Sequence, residues 1–523
     1  MGGHQRLRGV VHAIGRVRGL ALVLVCGLVA LAACQPAPTA PPTAENSLVR
    51  IAWSDVGVPT PFRVSTAGPG GAVLLSLIYD TLTWKDEHGI VPWLATTWAI
   101  SPDGRELTFM LAHDVKWQDG QPLTAADVAF SFDYYATHPY RWMPTDMVES
   151  ATVLSSERVR LRLKNPYPPF LEEVAGAVPI IPRHVWQNVS DPLHYDAADA
   201  SLGSGPYRLA EYRSPEGAYR LTANRDYFKG PPRVQEVQQL SLPPETVVQA
   251  LQQGQVDLAY TADASVVTLL QGNTRLKVLQ TAPLSVVRLV LNTERPPLDR
   301  VEVRQALAVA LDRAAVARAV TKGDPVVGSA GVIPPETPWY SPSVRQYAFD
   351  PAAARGLLGG ERLTLELLAQ PDAREPELLQ PMLESVGVTL QTKRVDIQTK
   401  AQLLKEKRYE AALLQHIVGG DPDYLRRWYA GQEANLFAQG DVLHDPAFDA
   451  LAQQQATTLD PAARKALVAR LQDVLAEDLP TIPLFYRRFY WIYDSTRLTP
   501  MNTSGGLMNG IPLVDNKLIF LPT

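Results

Sequence analysis

From Leu48 onward the chain alternates short runs of strand-like hydrophobicity with stretches of helical spacing, a rhythm that predicts an α/β fold with helices covering sheets. Leu107 to Leu111 reads as a strand. So does Val159 to Leu163, where Val159, Leu161 and Leu163 alternate with Arg160 and Arg162, the period of two that leaves one face wet. Thr124-Ala125-Ala126-Asp127 has the form of a capping box. Its hydroxyl can satisfy a free backbone donor and its carboxylate suits the positive helix end, so a helix is predicted through Phe130 to Tyr135. Pro243 to Gln253 reads as a helix closed by Gly254, with Val256 to Tyr260 entering the next strand. The near-continuous apolar run Val286 to Leu291 predicts a buried strand. After Asp299, taken as a cap, Val303, Leu307, Ala310, Leu311 and Ala314 share one helical stripe, with Glu302 three residues on; this helix is expected to open a second lobe. Asp350-Pro351 and Asp460-Pro461 each set a cap before a proline whose missing N–H costs nothing at the first helical position. The second of these helices turns Leu467, Val468, Leu471, Val474 and Leu475 inward and stops at Pro480. Phe485 to Tyr493 reads as one buried strand with Arg487 and Arg488 facing out. No long flexible linker interrupts residues 48 to 523. The lobes are therefore expected to be joined by short crossings, which suit hinge closure.

The segment ahead of this body has a different character. Arg6, Arg8, Arg16 and Arg18 precede an apolar run from Leu20 to Ala33, about 14 residues where a membrane-spanning helix needs roughly 20. It reads as an export signal, with a short membrane anchor as the alternative. The run ends in Leu31-Ala32-Ala33-Cys34. That ending resembles the lipobox of bacterial lipoproteins, which implies that Cys34 becomes the lipid-modified N-terminus. Residues 1–33 are then a signal peptide, and 34–47, rich in proline and poor in core-forming residues, an extended tether. Cys26 and Cys34 are the only cysteines, so the mature body has neither a disulfide nor a thiolate cluster and depends on packing.

Composition adds exclusions. With 523 residues, 46% of them hydrophobic, the chain can build more than one core. Removing the four arginines of the leader leaves 45 basic residues against 54 acidic ones, a formal charge of −9. An acidic body without a basic run has no electrostatic reason to hold a phosphate backbone, so nucleic acid is not an expected partner. There is no Gly-x-Ser-x-Gly elbow, His-Glu-x-x-His, P-loop or Gly-x-Gly-x-x-Gly. Neither an enzyme nor a cofactor is expected.

The stretch from Trp93 to Tyr134 resembles the signature region of the family 5 extracytoplasmic solute-binding proteins, the oligopeptide, dipeptide and nickel binding group. The matching residues are Leu94-Ala95, Trp98, Pro102-Asp103-Gly104, Leu107-Thr108-Phe109, Asp114-Val115-Lys116-Trp117, Asp119-Gly120, Leu123 to Val128 and Phe130-Ser131-Phe132. Gly203-Ser204-Gly205-Pro206-Tyr207, Asn224 to Phe228, Leu251 to Asp257, Asn292 to Asp312, Asp478-Leu479-Pro480 and Pro483-Leu484 continue the likeness in order. The resemblance implies a type II periplasmic-binding-protein fold. Lobe one would comprise residues 48–292 and 486–523, with a subdomain inserted at about 80–200, and lobe two residues 293–485. It also implies a monomeric, lipid-anchored solute-binding component of an ABC importer, working outside the cytoplasm with a membrane permease and an ATPase. Its ligand would be a peptide or similar small solute. A sensing lipoprotein, or a binder of a metal chelate, opine or sugar, is the alternative.

The resemblance also points to ligand residues. In peptide-binding members a carboxylate ahead of an Asp-Pro segment pairs with the ligand amine, and here that segment runs from Gln415 and His416 through Val418 to Asp421-Pro422-Asp423-Tyr424. Val418 occupies the aligned position, so Asp421 or Asp423 is the candidate substitute, with a turn and helix cap as the plainer reading of both. Arg374 sits where some dipeptide receptors place a carboxylate-clamping arginine. A solvated surface arginine is its plainer reading. Trp53 and Asp55 follow the first strand, where this fold's ligand-facing loop begins, and Ser204 sits in the glycine turn near the lobe crossing. His416 is a lone imidazole, which cannot hold a metal ion by itself, so no metal is expected.

Overall fold

The computed structural model describes residues 48–64, 69–86, 89–140, 143, 145–283, 285–323, 325–430, 443, 445–498, 507–508, 511–512 and 516–522. Cys34, the signal peptide and the tether lie outside the described residues. The body is built on two mixed sheets with helices packed around them. In the first sheet Leu48–Ala52 lies parallel between Glu236–Leu240 and Leu258–Thr261. Ala218–Ala223 and Tyr207–Arg213 extend one side, and Tyr490–Asp494 and Leu276–Gln280 the other. The second sheet runs in the order Val326–Val327, Thr481–Arg487, Ser285–Leu291, Ala411–Ile417, Leu363–Ala369, Val388–Arg394. Between Leu48–Ala52 and Tyr207–Arg213 the chain inserts a four-stranded antiparallel sheet, which includes Glu106–Leu111 and Arg158–Leu163. Against it packs the Ala125–Thr137 helix, started by the capping box of Thr124 and Asp127. Among the described residues no helix is long and apolar enough to cross a membrane.

The lobes join where the chain passes from one sheet to the other. Ser285–Leu291 is buried at every position and is a central strand of the second sheet. The crossings therefore lie at 281–283 and 488–489, which corrects the expected boundaries at 292–293 and 485–486. The two crossings bind each other. Thr281 N–H donates to the Phe489 carbonyl at 2.9 Å, and Phe489 N–H donates to Thr281 Oγ1 at 2.9 Å. The aromatic run read as one strand is consequently two, Thr481–Arg487 and Tyr490–Asp494, in different sheets. Arg487 and Arg488 do not simply face out: at the crossing they pair with Glu375 and Glu336.

Local competition explains two further departures. The stripe after Asp299 is divided into Val301–Ala310 and Arg313–Thr321, because Leu311 is extended and Asp312 caps the second helix through Ala315 N–H at 2.8 Å. An aspartate that can cap offers the backbone an exit from the helix. The first helix takes Arg300 rather than Asp299 as its cap residue. Pro243 to Gln253 is a 3₁₀ turn, Pro244–Thr246, leading into the Val247–Gln252 helix, with Gly254 in the left-handed region as expected.

The first sheet and the insertion share one hydrophobic core, with a second cluster around Leu251 and Ile492 also on that sheet, and a fully buried charge pair ties the C-terminal segment into the shared core. Lys517 Nζ lies 2.7 Å from Asp80 Oδ1, with both side chains at 0% exposure. Trp93 Nε1–H at 2.7 Å and the Tyr227 hydroxyl at 2.8 Å also donate to Oδ1, and the Ser204 hydroxyl donates to Oδ2 at 2.9 Å. The ammonium sits over the Trp84 and Trp93 rings. Burial draws its pKa below the ordinary lysine value against the pull of Asp80. Asp80→Ala leaves that ammonium without a counter-charge and is expected to cost about 3–5 kcal/mol. Lys517→Met leaves Asp80 with three neutral donors and is expected to cost less. Denaturant unfolding checks the order, and equal losses would contradict it.

Candidate functional site

The strands Leu363–Ala369, Ala411–Ile417 and Thr481–Arg487 all point their C-terminal ends toward the edge from which the crossings leave the second sheet. A cavity of about 270 Å³ lies there, lined among others by Val287, Asp372, Arg374, Glu375, Gln415 and Arg487. Two of the sequence candidates, Arg374 and Gln415, thus come together. Glu375 is buried at the first position of the Glu375–Glu384 helix, where a carboxylate suits the positive helix end, and accepts from Arg487 Nη2 at 2.9 Å. That pair fixes the helix start against the crossing.

The residues after Gln415 turn away from the cavity. His416 Nδ1 lies 2.7 Å from Arg288 Nη2; because arginine can only donate, Nδ1 is the acceptor. Arg288 is completely buried and lies 4.2 Å from the centre of the Trp428 ring. Burial lowers its pKa, while Tyr429 works in the opposite sense. Val418 and Tyr424 belong to the same apolar cluster as Trp428. The position aligned with an amine-binding acid is therefore both apolar and inside a core.

Asp421 is engaged within lobe two, and Asp423 both there and by the insertion. Asp421 accepts from Arg464 Nη1 at 2.6 Å and Nη2 at 2.7 Å, and from the Asp423 N–H at 2.9 Å. Asp423, fully buried, accepts from Arg426 Nε at 2.8 Å and Nη2 at 2.7 Å and from Gln455 at 2.8 Å. It sits at the cap position of the Tyr424–Tyr429 helix, yet its side chain makes no capping bond. From the insertion, the Tyr167 hydroxyl lies 2.7 Å from Glu173 Oε2 and 3.0 Å from Asp423 Oδ2, while Arg427 reaches Glu173 at 3.2 Å. Burial works to raise the Asp423 carboxyl, but Arg426, Arg427 and the Gln455 bond together hold the group below its usual range. Burial pushes Glu173 up to about 7, against the pull of Arg427.

The lobe-one candidates are dispersed. Trp53 is 4% exposed and packs on Trp491 and Tyr260, with ring centroids 5.1 and 4.9 Å away. The Pro69–Ile78 helix approaches the indole so closely that a Cβ at Gly70 would stand 1.9 Å from Nε1. Asp55 is exposed in the turn beyond the first strand and accepts from the Tyr219 hydroxyl at 2.6 Å and the Tyr212 hydroxyl at 3.0 Å. Its burial would raise its pKa, but these bonds and the Gly57 N–H bring it below the usual value. Ser204 is buried on Asp80 and does not line the cavity.

The family model for bacterial extracellular solute-binding proteins, family 5 middle region, matches residues 89–436. The chain belongs to that family. Di/tripeptide-binding protein 2 of Pseudomonas aeruginosa is 26% identical over 432 residues, covering 76% of this chain and 81% of the relative. The probable ABC transporter periplasmic-binding protein SapA of Escherichia coli is 26% identical over 505 residues, covering 88% and 91%. The crystal structure of NikZ from Campylobacter jejuni in complex with Ni(L-His) superposes with a TM-score of 0.77 at 22% identity, covering 92% of this chain and all of that one. Together with the two sheets, this establishes the type II binding-protein fold with two lobes.

In this family 5 chain the buried charges at Asp80, Glu173, Arg288 and Lys517 escaped the sequence reading. Only Asp80 carried a local signal, an acid directly after the apolar Leu74 to Tyr79. The Glu173 cluster yields a pH dependence. One Tyr167 proton faces two carboxylates, and a proton on Glu173 relieves that conflict. In water the Glu173 carboxyl titrates near 4.5, so between that value and about 7 the folded chain holds a proton that the unfolded chain releases. The raised value contributes stability that is complete below about 4.5 and lost as pH rises toward 7. The stability of wild type relative to Glu173→Gln is expected to fall across this window, by up to about 1.4 kcal/mol per pH unit. Denaturant unfolding from pH 4.5 to 8 measures it, and a difference that does not vary with pH would show that Glu173 stays ionised.

Proposed function

We propose that the chain is the exported, lipid-anchored receptor of an ABC importer. It holds a peptide or similar small solute reversibly between its lobes and delivers it to the membrane permease and its ATPase, making and breaking no bond. The observation that carries this reading is the pair of short, mutually bonded crossings beside a polar cavity at the edge of the second sheet. Such a joint permits one lobe to swing toward the other without disturbing either sheet. Anchoring rests on the order of arginines, apolar run and Ala32-Ala33-Cys34 in the sequence. The solute class rests on relatives whose names specify di- and tripeptides and a nickel–histidine chelate. The Campylobacter neighbour makes a metal chelate the second reading.

Native mass spectrometry of protein purified without refolding is expected to find a bound small solute. Returning that solute to the emptied protein should reduce the radius of gyration of an open form. At a hundred times Kd it should stabilise the fold by about 2.7 kcal/mol. An unchanged scattering profile on saturation would refute closure, and Cys34→Ser protein that still partitions with membranes would refute the anchor.

A further inference from the structure

We propose that a second cavity, at the joint between the first sheet and the insertion, binds a small organic oxyanion through Arg63 and Arg208. The ligand class is a carboxylate or phosphate monoester carried on an apolar body. This site is additional to the cleft between the lobes and does not depend on the receptor reading above.

Volume and charge carry the argument. The cavity measures about 440 Å³, inside the range of roughly 300–1,000 Å³ that ligand pockets occupy. It shares no lining residue with the cavity of lobe two. Arg63, in the loop after Leu48–Ala52, and Arg208, on Tyr207–Arg213, both line it and are half-buried. Among the described residues neither forms an ion pair: Arg63 Nη1 donates to the Tyr195 carbonyl at 3.2 Å, and Arg208 Nη2 to Asn224 Oδ1 at 3.3 Å. Their remaining donors have no protein partner there and are not sealed away. Asp196, the acid among the lining residues, is exposed and pairs with neither arginine. Asp199, close by in the same turn, accepts from the Tyr195 hydroxyl at 2.6 Å. Two cations therefore face one anion. A guanidinium partly cut off from water gains from a charge-assisted bond, and its planar fork matches the oxygens of a carboxylate or phosphate.

The walls are also tied to one another. Arg63 holds the 195–202 turn through Tyr195, the Ser201 hydroxyl donates to the Pro59 carbonyl at 3.2 Å, and the Tyr79 hydroxyl donates to the Ala200 carbonyl at 3.0 Å. The buried Gln118, another lining residue, places Nε2 at 2.7 Å from the Tyr207 carbonyl, 3.2 Å from that of Gly205 and 3.3 Å from that of Ile78. A cavity fixed in this way loses little freedom when a ligand arrives. Val58, Ala197, Ala198, Leu202 and Leu209 supply apolar wall, which favours an anion with a hydrocarbon body over inorganic phosphate. Every lining residue lies between Val58 and Leu209, on the first sheet, the loop after its first strand or the insertion. Lobe two contributes nothing, so the site is complete whether or not the lobes close.

The test titrates the mature protein with hexanoate and phenyl phosphate, and with hexanol, hexylamine and inorganic phosphate for comparison. At least one of the two organic anions is expected to bind saturably by calorimetry, to raise the melting temperature and to leave the radius of gyration unchanged. Hexanol and hexylamine should bind at least tenfold more weakly than hexanoate, and inorganic phosphate at least tenfold more weakly than phenyl phosphate. Arg63→Gln and Arg208→Gln should each weaken the better probe at least tenfold. Ala198→Phe, at an exposed position, fills the cavity without removing either charge and should do the same. It decides the matter if circular dichroism shows an arginine variant unfolded. The inference is overturned if neither organic anion binds, if hexanol binds as well as hexanoate, if binding compacts the protein, or if the folded variants keep wild-type affinity. Each of those results leaves the receptor function standing, because that reading is tested by the solute held in the cleft.

Discussion

A charge cut off from water must be matched within hydrogen-bond reach, and this requirement decides which residues of the chain are left to meet a solute. Arg464 occupies both oxygens of Asp421, and Asp423 is ringed by Arg426, Gln455 and Tyr167. Asp423 accepts four hydrogen bonds and Asp421 three, so each is largely taken up by its own neighbours. The same rule holds Asp80 to Lys517 in lobe one and Glu375 to Arg487 beside the crossing. These buried carboxylates are each matched by a cation, which leaves the exposed groups at the cavity mouth freer to meet a solute.

Those matched charges also define how the lobes are held. Thr281 and Phe489 bond the two crossings to each other, and Phe489 packs with Tyr260 and Ile417 from the two sides. A second contact is made far along the sequence, where Tyr167 and Glu173 of the insertion reach Asp423 and Arg427 of lobe two. Next to it the half-exposed Leu459 lies over Gly104, where an added Cβ would stand 2.8 Å from the leucine methyl. The insertion therefore touches lobe two through these side chains while sharing a hydrophobic core with lobe one. Separating the two would leave the buried Glu173 without the Arg427 guanidinium that opposes it.

Local chemistry made much of the fold legible. The Thr124 box and the Asp350 and Asp460 caps with their prolines start helices where the sequence put them, because each is settled within four residues. The alternation at Val159 and the apolar run at Val286 likewise appear as strands. Failures came where a long-range event decided the outcome. The Phe485 to Tyr493 run is apolar throughout, so nothing in it marks the point at which the chain leaves one sheet for the other. The Asp421 segment looked open to a ligand because its partner Arg464 lies on a helix some forty residues later. Arg374 and Gln415 were singled out through likeness to a family, and both line the cavity. Asp372 was not singled out, because an exposed aspartate in a turn is indistinguishable from any other until the cavity around it is known.

The contrast between buried and exposed charge bears on why such a site needs two lobes. In water an exposed ion pair contributes about 0–1 kcal/mol, so Asp372 and Arg374 in an open cavity would hold a charged solute only weakly. Their affinity must come from excluding solvent after the ligand is seated, since the same pairs gain strength as the surrounding dielectric falls. The second lobe cannot do this alone, because every lining residue of the cavity belongs to it. At the edge of the first sheet from which the crossings leave stand Asp55, held by two tyrosine hydroxyls, and the stacked Trp53, Tyr260 and Trp491. These groups are already fixed by their own neighbours. In the proposed mechanism lobe one supplies a rigid cover, and the discrimination between solutes rests with the side chains that line the cavity of lobe two.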